Sequence, residues 1–357
     1  MLTEKGALAR DLVLDPGFLA YRFDFNSESI GFLPIERDEI RRVSALQREL
    51  IEPGRHLIEV PLAEVTDLVR APPWNMARNP PRFIFHTAFC ASTFLSRCLD
   101  VEGATLPLRE PQILLDAANA KRLAWKSGST DLDYRHLPLL ALTLLQKHST
   151  ATERLVIKPI NSVNNIIPEL LQATGSTKSL MLYTDVRNFV LSTLRKGEGG
   201  KQTVRSMFDL IRCDFPQLVN LQLTHTIHMT DLRVAMTLWR LQVEQATKLI
   251  QQFHRDGSMA SLYGEKLVDD APAVLHATNN FLGLGIPSKK IDSIVGGDAR
   301  SRDAKHLDQS FSKQKRDERY ARLEEFLGDD LTDGLAWLVR NNPGTRLHPD
   351  LGGALPL

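Results

Sequence analysis

An α/β fold is what this chain's pattern predicts: a mainly parallel central sheet flanked by helices, with a small α/β lobe ahead of it. From Arg82 onward, short runs of β-branched, aromatic and leucine residues alternate with amphipathic segments of helical length. Strands separated by helices join through crossovers and so lie parallel, with helices covering both faces of the sheet. Earlier in the chain, residues 18 to 36 alternate in period two around a turn at Asn26-Ser27-Glu28-Ser29, the pattern of a hairpin. The bulk composition agrees: 357 residues, 43% hydrophobic and 24% charged, suit a globular chain with a sizeable core.

Taken in order, the hairpin is followed by a short strand at His56 to Val60 and a helix near 62 to 70. The segment Ala71-Pro72-Pro73-Trp74-Asn75, with Asn79-Pro80-Pro81, breaks regular structure. The residue before a proline is disfavoured in helix and a proline has no N–H for a ladder, so a linker ends the first lobe near residue 80. The expected division is therefore 1–80 for the lobe, 81–345 for the main domain and 346–357 for an irregular tail carrying Pro349, Gly352, Gly353 and Pro356. Within the main domain the expected strands are Arg82 to Thr87, Thr105 to Arg109, Arg154 to Lys158, Lys178 to Thr184 and Met259 to Tyr263. Helices are expected at 92–99, 111–122, 135–148, 187–196, 232–254, 271–282 and 312–327. In the long one, Val234, Leu238, Leu241, Leu249 and Phe253 face inward.

Composition also excludes. Forty-four basic residues against forty-three acidic give a net charge of +1, so no global field recruits nucleic acid or an anionic membrane. No apolar run reaches the length of a membrane span. Three cysteines, Cys90, Cys98 and Cys213, make no disulfide framework, and the first residues have no apolar core of leader length, so the expected location is cytoplasmic. The histidines show no zinc spacing and no metal is expected. Oligomeric state leaves no mark in the sequence.

The chemistry concentrates at the strand ends, where open parallel sheets bind ligands. The stretch Arg82-Phe-Ile-Phe-His86-Thr-Ala-Phe-Cys90-Ala91-Ser92-Thr93-Phe-Leu-Ser-Arg97 runs from strand through a small-residue turn into a helix, whose first amides lack intrahelical acceptors and carry partial positive charge. Cys90, Ala91, Ser92 and Thr93 therefore form a candidate anion loop. It lacks the lysine of a Gly-x4-Gly-Lys-Ser/Thr motif, with Ser92 in that position, so nucleoside triphosphate hydrolysis is not the first expectation. After the second strand come Arg109 and Glu110, after the third Lys158, after the fourth Thr184, Asp185, Arg187 and Ser192. A carboxylate beside cations and anion-binding amides can move a charged group onto a hydroxyl: Glu110 as base, Lys158 and the amides neutralising growing charge. His86 is a second candidate base, and Cys90 a nucleophile without an evident partner. Each has a plainer reading: Ser92 and Thr93 as helix caps, Glu110 as a helix-start charge, His86 and Trp239 as core.

The order of these motifs resembles that of the sulfotransferases using 3′-phosphoadenosine 5′-phosphosulfate (PAPS), especially the tyrosylprotein sulfotransferases and bacterial relatives, over residues 82 to 340. The residues carrying it are the loop Phe85 to Leu95, Leu-Arg-Glu-Pro at 108–111, Val-Ile-Lys-Pro at 156–159 and Leu-Tyr-Thr-Asp-Val-Arg-Asn-Phe-Val-Leu-Ser at 182–192. They continue with Trp239, Leu-Tyr-Gly-Glu-Lys-Leu-Val at 262–268 and Leu-Gly-Ile-Pro at 284–287. The resemblance implies a P-loop NTPase-like, sulfotransferase-like fold, PAPS as donor substrate and a hydroxyl or amine acceptor that the sequence does not identify. It implies that Ser92 and Thr93 hold the 5′-phosphosulfate, Glu110 is the base, Lys158 stabilises the transferring group and Ser192 contacts the 3′-phosphate. Two positions depart from it: Phe89 stands where the 5′ loop has a cation, and Thr184 where the 3′ segment has an arginine. Arg187 can take the 3′ role, Arg97 or Arg109 the 5′ role, and Arg300, Arg302 or Lys305 can close over the nucleotide from the basic stretch 296–315; Arg195 to Gly200 form a second flexible, cationic edge. An inactive nucleotide- or phosphate-binding protein on the same fold is the alternative, and an ATP-dependent phosphotransferase using Asp185 a third reading.

Overall fold

The computed structural model describes residues 4–47, 50, 55–70, 80–127, 134–175, 177–215, 229–296 and 313–357. In chain order the elements begin with α1 (Glu4–Leu14), β1 (Phe18–Asp24), β2 (Ser29–Pro34), α2 (Arg37–Arg42), β3 (Ile58–Pro61), α3 (Leu62–Arg70), β4 (Arg82–His86), α4 (Ser92–Cys98) and β5 (Thr105–Arg109). Next come α5 (Gln112–Ser127), α6 (Leu137–Gln146), β6 (Arg154–Lys158), α7 (Ile167–Ala173), β7 (Ser179–Tyr183), α8 (Val186–Leu194) and α9 (Gly197–Ile211). The rest are α10 (Asp231–Phe253), β8 (Met259–Tyr263), α11 (Gly264–Asp269), α12 (Ala271–Leu282), α13 (Ser288–Gly296), α14 (Lys313–Leu327) and α15 (Asp329–Asn341). The chain divides into two compact units. One comprises Met1–Ile84, Ser96–Ser179 and Leu282–Pro287; the other comprises Phe85–Leu95, Leu180–Phe281 and Ser288–Leu357.

The expected α/β class holds. A five-stranded sheet flanked by helices has the order β5-β6-β4-β7-β8, and its strands are buried almost throughout, as parallel strands covered on both faces must be. β5 and β6 pair in parallel from Thr105↔Arg154 to Arg109↔Lys158. Pro107 lies within β5, and a proline cannot donate to a ladder on two sides; β5 is accordingly an edge strand. β4 is the strand about which the order reverses, so the chain leaving its carboxyl end is at a topological switch point.

In the first unit, β1, β2 and β3 form a separate antiparallel sheet, the hairpin running from Phe18↔Pro34 to Asp24↔Ser29. These residues and 96–179 belong to one compact unit. The seam includes Asp116 of α5, whose carboxylate accepts from the Phe23 N–H (3.0 Å) and the Gln112 side chain (2.7 Å). Burial dominates these bonds and pushes the Asp116 carboxyl up to about 6. Between about pH 4 and pH 6 the folded chain thus holds a proton the unfolded chain has lost, and stability falls as pH rises through that window, by about 3 kcal/mol in all. Asp116→Asn, with no charge to bury, should match the parent below pH 4 and exceed it by about that amount above pH 6. Urea melts that stay parallel at every pH would contradict this.

The second unit has its core between α8, α9, α10 and α15, around Phe189, Phe208, Leu238 and the fully buried Trp239. Trp239 is core, its indole N–H donating to the Thr184 carbonyl (2.8 Å). Thr230 caps α10 and Asp185 caps α8, each accepting a backbone N–H of its helix. Of the five residues expected to face inward from α10, four are buried and Phe253, at its last turn, is half-buried. The irregular end of the chain is pinned to β8. Ser261 N–H donates to the Gly353 carbonyl and Leu355 N–H to the Ser261 carbonyl, both 2.8 Å. The edge expected to be flexible at 195–200 instead opens α9, and Gly200 is packed: a Cβ there would lie 2.1 Å from the Thr193 carbonyl oxygen. Among the described residues no helix is long and apolar enough to cross a membrane.

Candidate functional site

Each unit contains one group of the residues singled out from sequence. In the second unit it is the loop leaving β4. Ala88, Phe89 and Ala91 all have positive φ, at 63°, 50° and 63°. None is glycine, and the left-handed conformation costs an L-residue about 1–2 kcal/mol. Such strain persists only where surroundings impose it, and it collects at functional sites. Here the surroundings are explicit. Thr87 N–H donates to the Leu182 carbonyl (2.9 Å), Ala88 N–H to His86 Nδ1 (3.0 Å), and Leu95 N–H to the Ala91 carbonyl (3.0 Å). Phe89 packs edge-on against Phe189, with centroids 5.1 Å apart. Gly264, opening α11, lies under the loop so closely that a Cβ would be 2.4 Å from the Cys90 carbonyl oxygen. A turn with left-handed residues at close intervals gathers backbone N–H groups into a concavity suited to an anion. Cys90 and Ala91 lie in this turn and Ser92 and Thr93 open α4 directly after it, both hydroxyl residues buried.

His86 is tied to this loop. Its Nδ1 accepts from Ala88, so the neutral ring carries its proton on Nε2 and Nδ1 holds the backbone in place. That is a positioning role. Two hydroxyls at the strand ends stand out: Thr87 Oγ1 and Thr184 Oγ1 are fully buried and have no hydrogen-bond partner among the described residues. Buried hydroxyls without partners are rare and call for an explanation.

The residues expected at a 3′-phosphate are engaged by α14. Arg187 makes a two-bonded ion pair with Glu324, and Ser192 shares a hydrogen bond with Tyr320 (2.5 Å). Tyr320 and Glu324 are one helical turn apart, and Arg316, a turn earlier, pairs with Glu265 (2.7 Å). Nothing in the sequence linked α14 to these positions. Asp185 spends both carboxylate oxygens within the fold: Oδ1 caps Asn188 N–H (2.9 Å), while Oδ2 accepts from the Asn188 amide (2.6 Å) and Tyr263 OH (2.5 Å). Burial and that carboxylate raise the Tyr263 phenol. Asp185 is thus a helix cap whose carboxylate is engaged within the fold. Arg300, Arg302 and Lys305 lie outside the described residues.

In the first unit the site residues are Glu110 and Lys158. The two strand ends are joined twice: Glu110 N–H donates to the Lys158 carbonyl (2.6 Å), and Lys158 Nζ to Glu110 Oε1 (2.5 Å). Lys158 is fully buried and the Glu110 side chain is 14% exposed. Glu110 also has positive φ, 53°. Carboxylate and ammonium are therefore a buried pair, coupled in whatever they do. Arg109, offered from sequence as a substitute cation, is not available. It is buried, pairs with Asp100 (2.6 Å) and donates to the Arg41 and Val43 carbonyls (3.0 and 3.2 Å), capping the end of α2. Arg97 donates to the Arg42 carbonyl (3.3 Å). Burial pushes the Cys98 thiol up to about 12, leaving it inert.

No protein-family profile matches the chain, and no curated protein matches it. Among solved structures it is similar to the sulfotransferase domain from the curacin biosynthetic pathway, with 16% identity over 74% of this chain and 98% of that one and a TM-score of 0.42. It is similar to a sulfotransferase from Alicyclobacillus acidocaldarius, with 12% identity over 74% and 95% of the two chains and a TM-score of 0.39. It is also similar to retinol dehydratase in a complex with retinol and PAP, with 13% identity over 98% and 97% and a TM-score of 0.39.

Proposed function

We propose that the protein transfers a sulfuryl group from PAPS to a hydroxyl or amine. The observation that carries this reading is the loop after β4, where three non-glycine residues are held left-handed at the turn where the motif order calls for a 5′-phosphosulfate. In this reading the Cys90 and Ala91 amides and the Ser92 and Thr93 hydroxyls hold the 5′-phosphosulfate. Lys158 neutralises charge on the oxygen bridging sulfur and phosphorus. The acceptor atom bonds to sulfur as the bridging sulfur–oxygen bond breaks, its proton passes to Glu110, and the electron pair leaves with 3′-phosphoadenosine 5′-phosphate (PAP). Glu110 must loosen from Lys158 to take that proton, since a carboxylate beside an ammonium is a poor base. Arg187 and Ser192 hold the 3′-phosphate after exchanging Glu324 and Tyr320 for it.

A second reading, a nucleotide- or phosphate-binding protein without transfer activity, is favoured by the same pairings: Lys158 is bound to Glu110, and Arg187 to Glu324. Calorimetry with PAP, followed by an assay of PAPS consumption in the presence of hydroxyl and amine acceptors, separates the two. Binding with consumption is expected. Binding without consumption leaves the second reading, and no heat at about 1 mM PAP overturns the transferase and the nucleotide-binding readings, leaving a phosphate site to be judged with inorganic pyrophosphate.

A further inference from the structure

We propose that Lys196 supplies the cation of the anion loop, with Phe89 as its platform; this rests on the loop being the anion site of the function proposed above. From His86 to Leu95 the loop contains no lysine or arginine, so nothing within it balances a phosphate- or sulfate-bearing ligand beyond backbone dipoles and the imidazole already committed to Ala88. The missing charge is brought from the corner between α8 and α9. Lys196 Nζ lies 4.6 Å from the centroid of the Phe89 ring. An ammonium over an aromatic face is attracted by the ring quadrupole. Phe89 is itself fixed against Phe189, so the ring is a rigid seat.

The backbone under Lys196 is equally fixed. Gly200 packs where a Cβ would meet the Thr193 carbonyl and come within 3.0 Å of the Lys196 Cβ, which sets the α8–α9 corner. A second, independent observation indicates that a polar ligand belongs beside this loop. Thr87 Oγ1, on its first residue, and Thr184 Oγ1, at the end of β7, are buried without partners, and the Thr87 N–H bond to Leu182 ties the two strand ends together. Amides, hydroxyls and one exposed ammonium make a complete set for the dianionic end of a phosphate or sulfate ester.

The test is calorimetry on the full chain with two probes, PAP and inorganic pyrophosphate, at low and high salt. Lys196→Met should weaken both probes about tenfold and flatten their salt dependence, the loss of one charge-assisted hydrogen bond. Lys196→Arg should restore affinity, and Phe89→Leu, which keeps bulk and removes the ring's quadrupole, should fall between. Lys196→Met binding both probes as the parent does would overturn this proposal while sparing the anion loop. If the parent binds pyrophosphate but not PAP, the nucleotide reading fails while Lys196 is still judged on pyrophosphate. A parent that binds neither overturns both.

Discussion

Replacing Lys158 with Met is expected to cost about 3–5 kcal/mol of stability and to abolish transfer, while Glu110→Gln costs a comparable amount. Either change leaves one member of a buried ion pair without its counter-charge, and desolvation then acts on that member uncompensated. Lys158 is the deeper of the two, and a bare ammonium there can relieve the penalty only by losing its proton. The double variant is the informative one. With both charges gone, the Met and Gln side chains remain compatible with the site, so its loss should be well below the sum of the single losses, giving a coupling energy of several kcal/mol in urea melts. That variant also separates structure from chemistry: it should still bind PAP within a few-fold of the parent yet consume no PAPS. Additive single losses would show that the pair is not coupled in solution. A double variant that retains transfer would remove both residues from the mechanism.

The sheet was legible because its strands are short runs buried on both faces, bounded by prolines, glycines or polar turns. Thr105–Arg109, Arg154–Lys158 and Met259–Tyr263 fall where composition alone puts them. Helices with one clear apolar face, such as α10 and α12, were legible for the same reason. The stretch 195–200 was misread because glycine has two uses. Its glycines suggested freedom, whereas Gly200 is present so that two segments of backbone can touch. The candidate site was legible in residue type and opaque in partnership. Nothing in Ala88, Phe89 or Ala91 signals positive φ, because alanine and phenylalanine adopt it only when tertiary contacts force them to. The engagement of Arg187 by Glu324 and of Ser192 by Tyr320 joins residues more than a hundred positions apart, and no local pattern encodes such a choice. Arg109 illustrates the converse: a cation at a strand end invites a ligand-binding role, but a buried guanidinium with five donors readily satisfies carbonyls and a carboxylate of its own fold.

Gly264→Ala should disturb the loop more than any other single-methyl change in the second unit's site. The added Cβ would meet three backbone atoms of Cys90, the carbonyl oxygen at 2.4 Å, the carbonyl carbon at 2.9 Å and Cα at 3.2 Å, and backbone cannot swing aside as a side-chain tip can. Either α11 withdraws from the loop or the loop gives up its shape. Overpacking of this kind costs about 1–3 kcal/mol. The larger effect falls on binding, because the left-handed conformations of Ala88, Phe89 and Ala91 exist only while packing enforces them, and a relaxed loop no longer gathers its amides toward an anion. PAP affinity is therefore expected to fall by more than about tenfold, beyond what the stability loss alone would produce. Gly199→Ala supplies the control. That glycine lies inside α9 with nothing within 4 Å of an added Cβ, so the change should leave binding intact and raise stability by about 0.5–1 kcal/mol. If Gly264→Ala binds PAP as the parent does, the contact with Cys90 does not shape the loop, and its left-handed residues are held by the other contacts, those of His86, the β7 pairing, Phe189 and Leu95.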